Sequence, residues 1–182
     1  MCIHIFKNYI LAIGLLFACS HSSNSSTEQP GIIQTDSNAI ATKLLTLPYA
    51  ERIMGESAQL TGNTYLKKSD TLEYKCDYTA IAEDKITRKT GKLYFMYEVY
   101  ANVDAAKNSY TAIYEANRRN QGVEVVSGLG DEAYYHSDGN NFYFCLVRKG
   151  EKMFRMKVNK VTIHSSASEF KEVTRRITDS IK

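Results

Sequence analysis

Leu72-Glu73-Tyr74-Lys75-Cys76-Asp77-Tyr78-Thr79-Ala80 alternates, residue by residue, between side chains that avoid water and side chains that seek it. Successive side chains of a strand point to opposite faces, so this period of two predicts an antiparallel strand with one face buried. Downstream, Leu93-Tyr94-Phe95-Met96-Tyr97-Glu98-Val99-Tyr100 is apolar at almost every position. That run predicts a strand at the sheet centre with both faces covered. Upstream, Ala58–Lys67 reads as an earlier strand, with Thr61-Gly62-Asn63 and Ser69-Asp70 as turns around it.

Helical sequence flanks these strands. Ile40, Leu44 and Leu47 keep a helical spacing, and Pro48 sits where a first helical turn tolerates it. Gly55 ends Tyr49–Met54 as a natural C-terminal stop, so the segment predicts a kinked or two-piece helix. Asn102 caps a second helix whose stripe is Val103, Ala106, Tyr110, Ile113 and Tyr114. Strand sequence returns at Val123–Val126, Glu132–His136, Asn141–Arg148 and Lys152–Lys160. Asp138-Gly139-Asn140 and Lys149-Gly150-Glu151 join neighbours as tight hairpins. Ser166-Ala167-Ser168-Glu169 is a capping box, and Phe170, Val173, Ile177 and Ile181 give the last helix one apolar face. Hairpins rather than crossovers link most strands. The fold class is therefore α+β: a largely antiparallel sheet of six to seven strands with three helices packed against it.

The chain opens differently. Lys7 is the only charged side chain in residues 1–18, and Tyr9–Ala18 is apolar apart from its first ring hydroxyl. About ten apolar residues cannot span a bilayer, which needs ~20 in a helix. A basic start, a short apolar run and a small residue at its end mark a secretory signal. Leu16-Phe17-Ala18-Cys19 resembles the lipobox of bacterial lipoproteins, with Phe17 in place of the usual smaller residue. The resemblance implies cleavage before Cys19 and acylation of its thiol. Residues 19–35 then read as a polar tether, because the run from Ser20 to Gly31 cannot bury enough apolar surface to fold. Residues 36–182 are left as a single globular domain, long enough for a real core. The expected location is the bacterial cell envelope, with the bilayer as partner through acylated Cys19. Ser20, where Asp would retain an enterobacterial lipoprotein, favours the outer membrane facing the periplasm in a Gram-negative host.

Charge excludes one class of partner. The 23 basic and 20 acidic residues are mixed along the chain. Lys67-Lys68, Arg118-Arg119, Arg148-Lys149 and Arg175-Arg176 are scattered pairs that read as solvated face, with no stripe to follow the phosphates of nucleic acid. Of four cysteines, Cys2 leaves with the leader and Cys19 takes the lipid. Cys76 and Cys145 remain, either bridged in an oxidising envelope or buried as free thiols on separate strands.

Candidate chemistry is sparse. Gly128, Gly130, Asp131 and Glu132 fall together in Gly128-Leu129-Gly130-Asp131-Glu132. Glycines beside two carboxylates suit a cation or an acid–base pair, or else a tight turn leading into a strand; the turn is favoured. The lysine and hydroxyl of a phosphate loop are missing. His136 and His164 stand apart from one another, without the spacing of a metal site. No metal, cofactor or catalytic set is expected. The chain has thirteen tyrosines and no tryptophan. Tyr94, Tyr97, Tyr100, Tyr134, Tyr135 and Tyr143 fall on strands, where they either line a cleft or pack against cross-strand neighbours.

Four landmarks occur in order: Ala50-Glu51-Arg52-Ile53-Met54-Gly55, Cys76-Asp77-Tyr78, Asp104-Ala105-Ala106, and Gly128-Leu129-Gly130-Asp131-Glu132-Ala133. Together they resemble a group of uncharacterised bacterial secreted lipoproteins. More remotely, the layout is similar to extracytoplasmic sensor domains of some mycobacterial receptor kinases. The resemblance implies a cleft-bearing sheet with an unknown small-molecule or protein ligand and no established reaction. A non-catalytic binding, sensing or interaction module is the expected function. An envelope hydrolase using Asp131 and Glu132, and a structural partner of a membrane complex, are the alternatives.

Overall fold

The computed structural model describes residues 39–182. The expected leader, Cys19, the expected tether and residues 36–38 of the expected domain lie outside the described residues. The element order is α1 (Ala39–Leu44), α2 (Leu47–Met54), β1 (Ala58–Lys68), β2 (Thr71–Ala80), β3 (Lys92–Val99), α3 (Val103–Asn117), β4 (Val123–Val126), β5 (Glu132–Ser137), β6 (Phe142–Lys149), β7 (Lys152–Asn159) and α4 (Ala167–Ser180). All seven strands form one antiparallel sheet, ordered β1-β2-β3-β7-β6-β5-β4. Two meanders are thus joined side by side through β3 and β7. The fold is α+β, with helices packed against an antiparallel sheet.

Local chemistry sets the ends of the helices. Pro48 opens α2, and Gly55 closes it in the left-handed region at φ 70°, donating its N–H to the Glu51 carbonyl. Asn102 caps α3 by accepting from the Ala105 N–H, and Ser166 caps α4 by accepting from the Glu169 N–H. Only half of the capping box forms at α4. The Glu169 carboxylate pairs with Arg52 on α2, and the Ser166 N–H goes to the Ile53 carbonyl. At the other end of α4, the Lys149 ammonium donates to the carbonyls of Thr178 and Ile181, where helix carbonyls lack partners.

The register divides the side chains between two faces. One row runs Asn63, Cys76, Phe95, Met156, Cys145, Tyr135. With its neighbours Tyr78, Leu93, Val147, Phe154 and Val158, it forms the main core beneath α1, α2 and α4. Phe95 and Phe154 meet there at a centroid separation of 5.8 Å, both almost fully buried. Each contributes about 2–3 kcal/mol relative to an exposed ring. On the opposite face a smaller core forms where α3 lays Tyr110, Ile113 and Tyr114 over Tyr134, Leu146 and Met153.

Three expectations change. Thr61-Gly62-Asn63 is not a turn: β1 runs through it with a bulge between Leu60 and Gly62, because the pairing with β2 resumes one residue out of step. β3 does lie inside the sheet, but α3 packs over Tyr134, Leu146 and Met153 on β5, β6 and β7 rather than over β3, so Tyr94 remains 37% exposed. Arg148 belongs to no solvated face: it is buried, for reasons given below.

Candidate functional site

The uncovered part of the sheet is built by two cross-strand rows. The first is Asp77, Tyr94, Lys157, Phe144, His136, and the second is Lys75, Met96, Arg155, Leu146, Tyr134. The second row begins in the open and ends under α3. Lys75, Asp77, Tyr94, Met96, Phe144, Arg155 and Lys157 line a depression of about 290 Å³. A second of similar size, lined by Asn117, His136, Phe142, Phe144 and Lys157, adjoins it through Phe144 and Lys157. Apolar rings and a thioether form the floor, and three cations and the Asp77 carboxylate stand around it.

The cations are held in different ways. Lys75 reaches the Glu73 carboxylate at 2.6 Å, and Arg155 reaches Glu98 at 2.7 Å. Burial pushes Glu73 up, yet hydrogen bonds from Lys75 and Lys68 outweigh it and hold the carboxyl below its usual range. Lys157 lies 5.4 Å from the Phe142 ring centroid and has no carboxylate partner among the described residues. The Asp77 carboxyl is raised by burial, and Lys75 and Lys92 pull against that rise. The face therefore has an ammonium, Lys157, free to meet an anion beside an apolar surface free to meet its body.

Two buried polar atoms at its margin lack partners among the described residues: the Tyr134 hydroxyl and Arg155 Nε. Burial raises Tyr134 to about 12, against the pull of the Arg155 charge. An unpaired buried hydroxyl costs roughly 1–3 kcal/mol of desolvation. Tyr134→Phe should therefore raise stability by about 1 kcal/mol in a urea melt. Destabilisation by a similar amount would mean that the hydroxyl is hydrogen-bonded in solution.

A third depression, of about 310 Å³, lies between α4 and the β4–β6 edge, with Tyr135, Tyr143 and Phe170 in its walls. Its cation is already engaged. Lys171 pairs with Glu124 at 3.0 Å and lies 5.0 Å from the Tyr135 ring centroid. The uncovered face is the better candidate because its ammonium is not neutralised.

The residues singled out from sequence fall apart from this face. Gly128 and Gly130 are both left-handed, at φ 76° and 64°, in the turn that enters β5. Asp131 and Glu132 converge on Arg148, whose Nη1 is 2.9 Å from Asp131 and whose Nε is 2.6 Å from Glu132. Asp131 also accepts the Gly150 N–H at 2.8 Å, and Arg148 donates to the Gly150 carbonyl. This constellation fastens the β4–β5 turn to the β6–β7 hairpin. Both carboxylates are engaged by the Arg148 guanidinium, and no group of three or more potential metal ligands occurs among the described residues.

Cys76 and Cys145 are free and buried. They share a face, but β3 and β7 stand between their strands, which places them about 14 Å apart at normal strand spacing. A disulfide needs Cα atoms within about 7 Å, so the bridge left open by sequence does not form. Burial pushes both thiols up to about 12. Maleimide should label neither in the native state and both after denaturation; rapid native labelling of either would contradict their burial.

Of the strand tyrosines, Tyr97, Tyr134 and Tyr135 are buried, and the Tyr100 hydroxyl bonds to Ser109 at 2.8 Å. Tyr94 lies on the uncovered face and Tyr143 beside α4. His136 borders the uncovered face, T-shaped against Phe142, while His164 lies exposed in the β7–α4 loop. The residues that sequence reading missed are Lys75, Arg155 and Lys157. Their alternation with Cys76, Phe154 and Met156 was visible, but their convergence depends on β3–β7 pairing. No known family model matches this chain, and no curated protein matches it.

Proposed function

We propose that the protein is a lipid-anchored, non-catalytic binding module of a bacterial envelope that holds a small amphipathic anion on the uncovered sheet face. One observation carries the reading: Tyr94, Met96 and Phe144 floor a depression that no helix among the described residues covers, beside Lys157, which has no carboxylate partner among them. Apolar surface at a sheet centre is normally covered, and such surface left open with a few placed polar groups is what a ligand site requires. The ligand's apolar body would lie on these three side chains and its acidic group would meet Lys157. The resemblance of the four landmarks to secreted lipoproteins, and of Leu16–Cys19 to a lipobox, supports the envelope setting. Acylated Cys19 attaches the domain to the bilayer through the 19–35 tether, in the outer membrane if the host has one. Among the described residues, no helix is long and apolar enough to cross a membrane.

Native mass spectrometry of protein extracted gently from its own membrane tests the ligand. A small adduct should appear on the wild type and be lost from Lys157→Glu at unchanged melting temperature. Repeated preparations without an adduct would remove the binding reading. The anchor has a separate readout, since Cys19→Ser should lose the acyl mass and leave the membrane fraction.

A further inference from the structure

At the end of the sheet where β2 stops and β3 begins, three isoleucines stand in solvent. Ile81 is 65% exposed, Ile86 is 74% exposed, and Ile163, in the β7–α4 loop, is 53% exposed. One buried carboxylate gathers the latter two. Asp84 accepts the Ile86 N–H at 2.8 Å through one oxygen and the Ile163 N–H at 3.1 Å through the other. It also accepts the Thr87 hydroxyl, and its backbone carbonyl accepts the Arg88 N–H at 2.8 Å. Arg88 and Lys160 hold left-handed backbone, at φ 56° and 59°. Ile81 is fixed by its N–H to the Ser57 carbonyl, and Lys89 ties the β2–β3 loop to the carbonyls of Asn140 and Val161. Two loops distant in sequence are thus bound together to present aliphatic side chains outward.

Charge of both signs surrounds them, with two lysines left unpaired. Lys85 and Lys160 are exposed and have no ion-pair partner among the described residues. Of the nearby carboxylates, Asp84 is turned inward, Glu83 is taken by Arg88 at 3.3 Å, and Glu56 faces the Thr162 hydroxyl. Aliphatic tips beside unpaired ammonium groups match a bilayer surface with anionic headgroups, where the tips enter the acyl boundary and the lysines stay among phosphates. We propose that this end of the domain docks on an anionic lipid surface through Ile81, Ile86 and Ile163, with Lys85 and Lys160 at the headgroups. The docking is independent of the ligand face and of acylation at Cys19.

The absence of tryptophan provides the test. Ile86→Trp introduces a single tryptophan, excited apart from the tyrosines, at the tip, and Leu66→Trp places one at the opposite end of the sheet, where Leu66 is 47% exposed. The full chain, purified from membranes, is incorporated into vesicles of phosphatidylglycerol and phosphatidylcholine, with or without brominated acyl chains. Tryptophan at position 86 should shift to the blue and be quenched by the brominated chains, whereas that at position 66 should keep its aqueous emission. Adding Lys85→Glu and Lys160→Glu should weaken partitioning of the Cys19→Ser chain by about thirty-fold or more. If acylation is confirmed by intact mass and position 86 still stays as aqueous as position 66, the docking is overturned. A blue shift that needs no vesicles and grows with protein concentration would show copies pairing through the tip, and would also overturn it. Quenching at position 86 in a chain lacking the acyl mass would keep the docking and remove the anchor.

Discussion

Arg148→Leu should destabilise the domain by about 2–4 kcal/mol in a urea melt, one of the largest single-site losses expected in this chain. The guanidinium is buried, with a side-chain exposure of 7%, and it holds Asp131, Glu132 and the Gly150 carbonyl together. Leucine keeps part of the packing of the arginine stem but leaves two adjacent carboxylates facing each other. Their side chains are 49% and 31% exposed, so water recovers part of the loss. That places the cost around and below the low end of what breaking a fully buried pair costs. Asp131→Ala with Glu132→Ala should also be destabilising, because an unpaired Arg148 would then be buried. A hydrolase that used these carboxylates would lose activity while keeping its melting temperature. A fall in melting temperature for both sets of variants identifies the cluster as a fastener between two turns.

How far the sequence could be read depended on the range of the interactions involved. Alternation in Leu72–Ala80, the Asn102 and Ser166 caps and the Gly55 stop are local, since each depends on residues within one turn or one strand. All appear where periodicity and capping chemistry placed them. Gly62 was misread because a glycine between polar residues suits a turn and a bulge equally, and only pairing with Asp77 on β2 decides between them. The doubly covered reading of β3 failed for a similar reason. Tyr94 and Met96 are apolar, but whether α3 lies over them depends on which strands that helix reaches. Arg148 looked like half of a solvated basic pair, and only the proximity of two turns turns it inward. The uncovered face was invisible for the same reason, since its rows cross β2, β3, β7, β6 and β5.

Gly128→Ala and Gly130→Ala should differ several-fold in cost although both positions are left-handed and only one residue separates them. At Gly128 an added Cβ meets nothing within 4 Å, so the penalty is the backbone conformation alone, about 1 kcal/mol. At Gly130 the same carbon would lie 2.5 Å from the Arg148 carbonyl oxygen and 3.0 Å from a Val147 methyl. That carbonyl accepts the Asp131 N–H at 2.8 Å, so it cannot withdraw without breaking the entry into β5. Backbone conformation and overpacking together should cost about 2–4 kcal/mol, read from paired urea melts. Combining Gly130→Ala with Arg148→Leu should cost less than the sum of the two, because each opens the same junction between β5 and β6. A ligand cradle made by both glycines predicts a different pattern: similar, small stability losses with binding impaired in each variant. Full additivity in the double variant would show that the backbone contact and the ion pair act separately, and the single fastener would have to be given up.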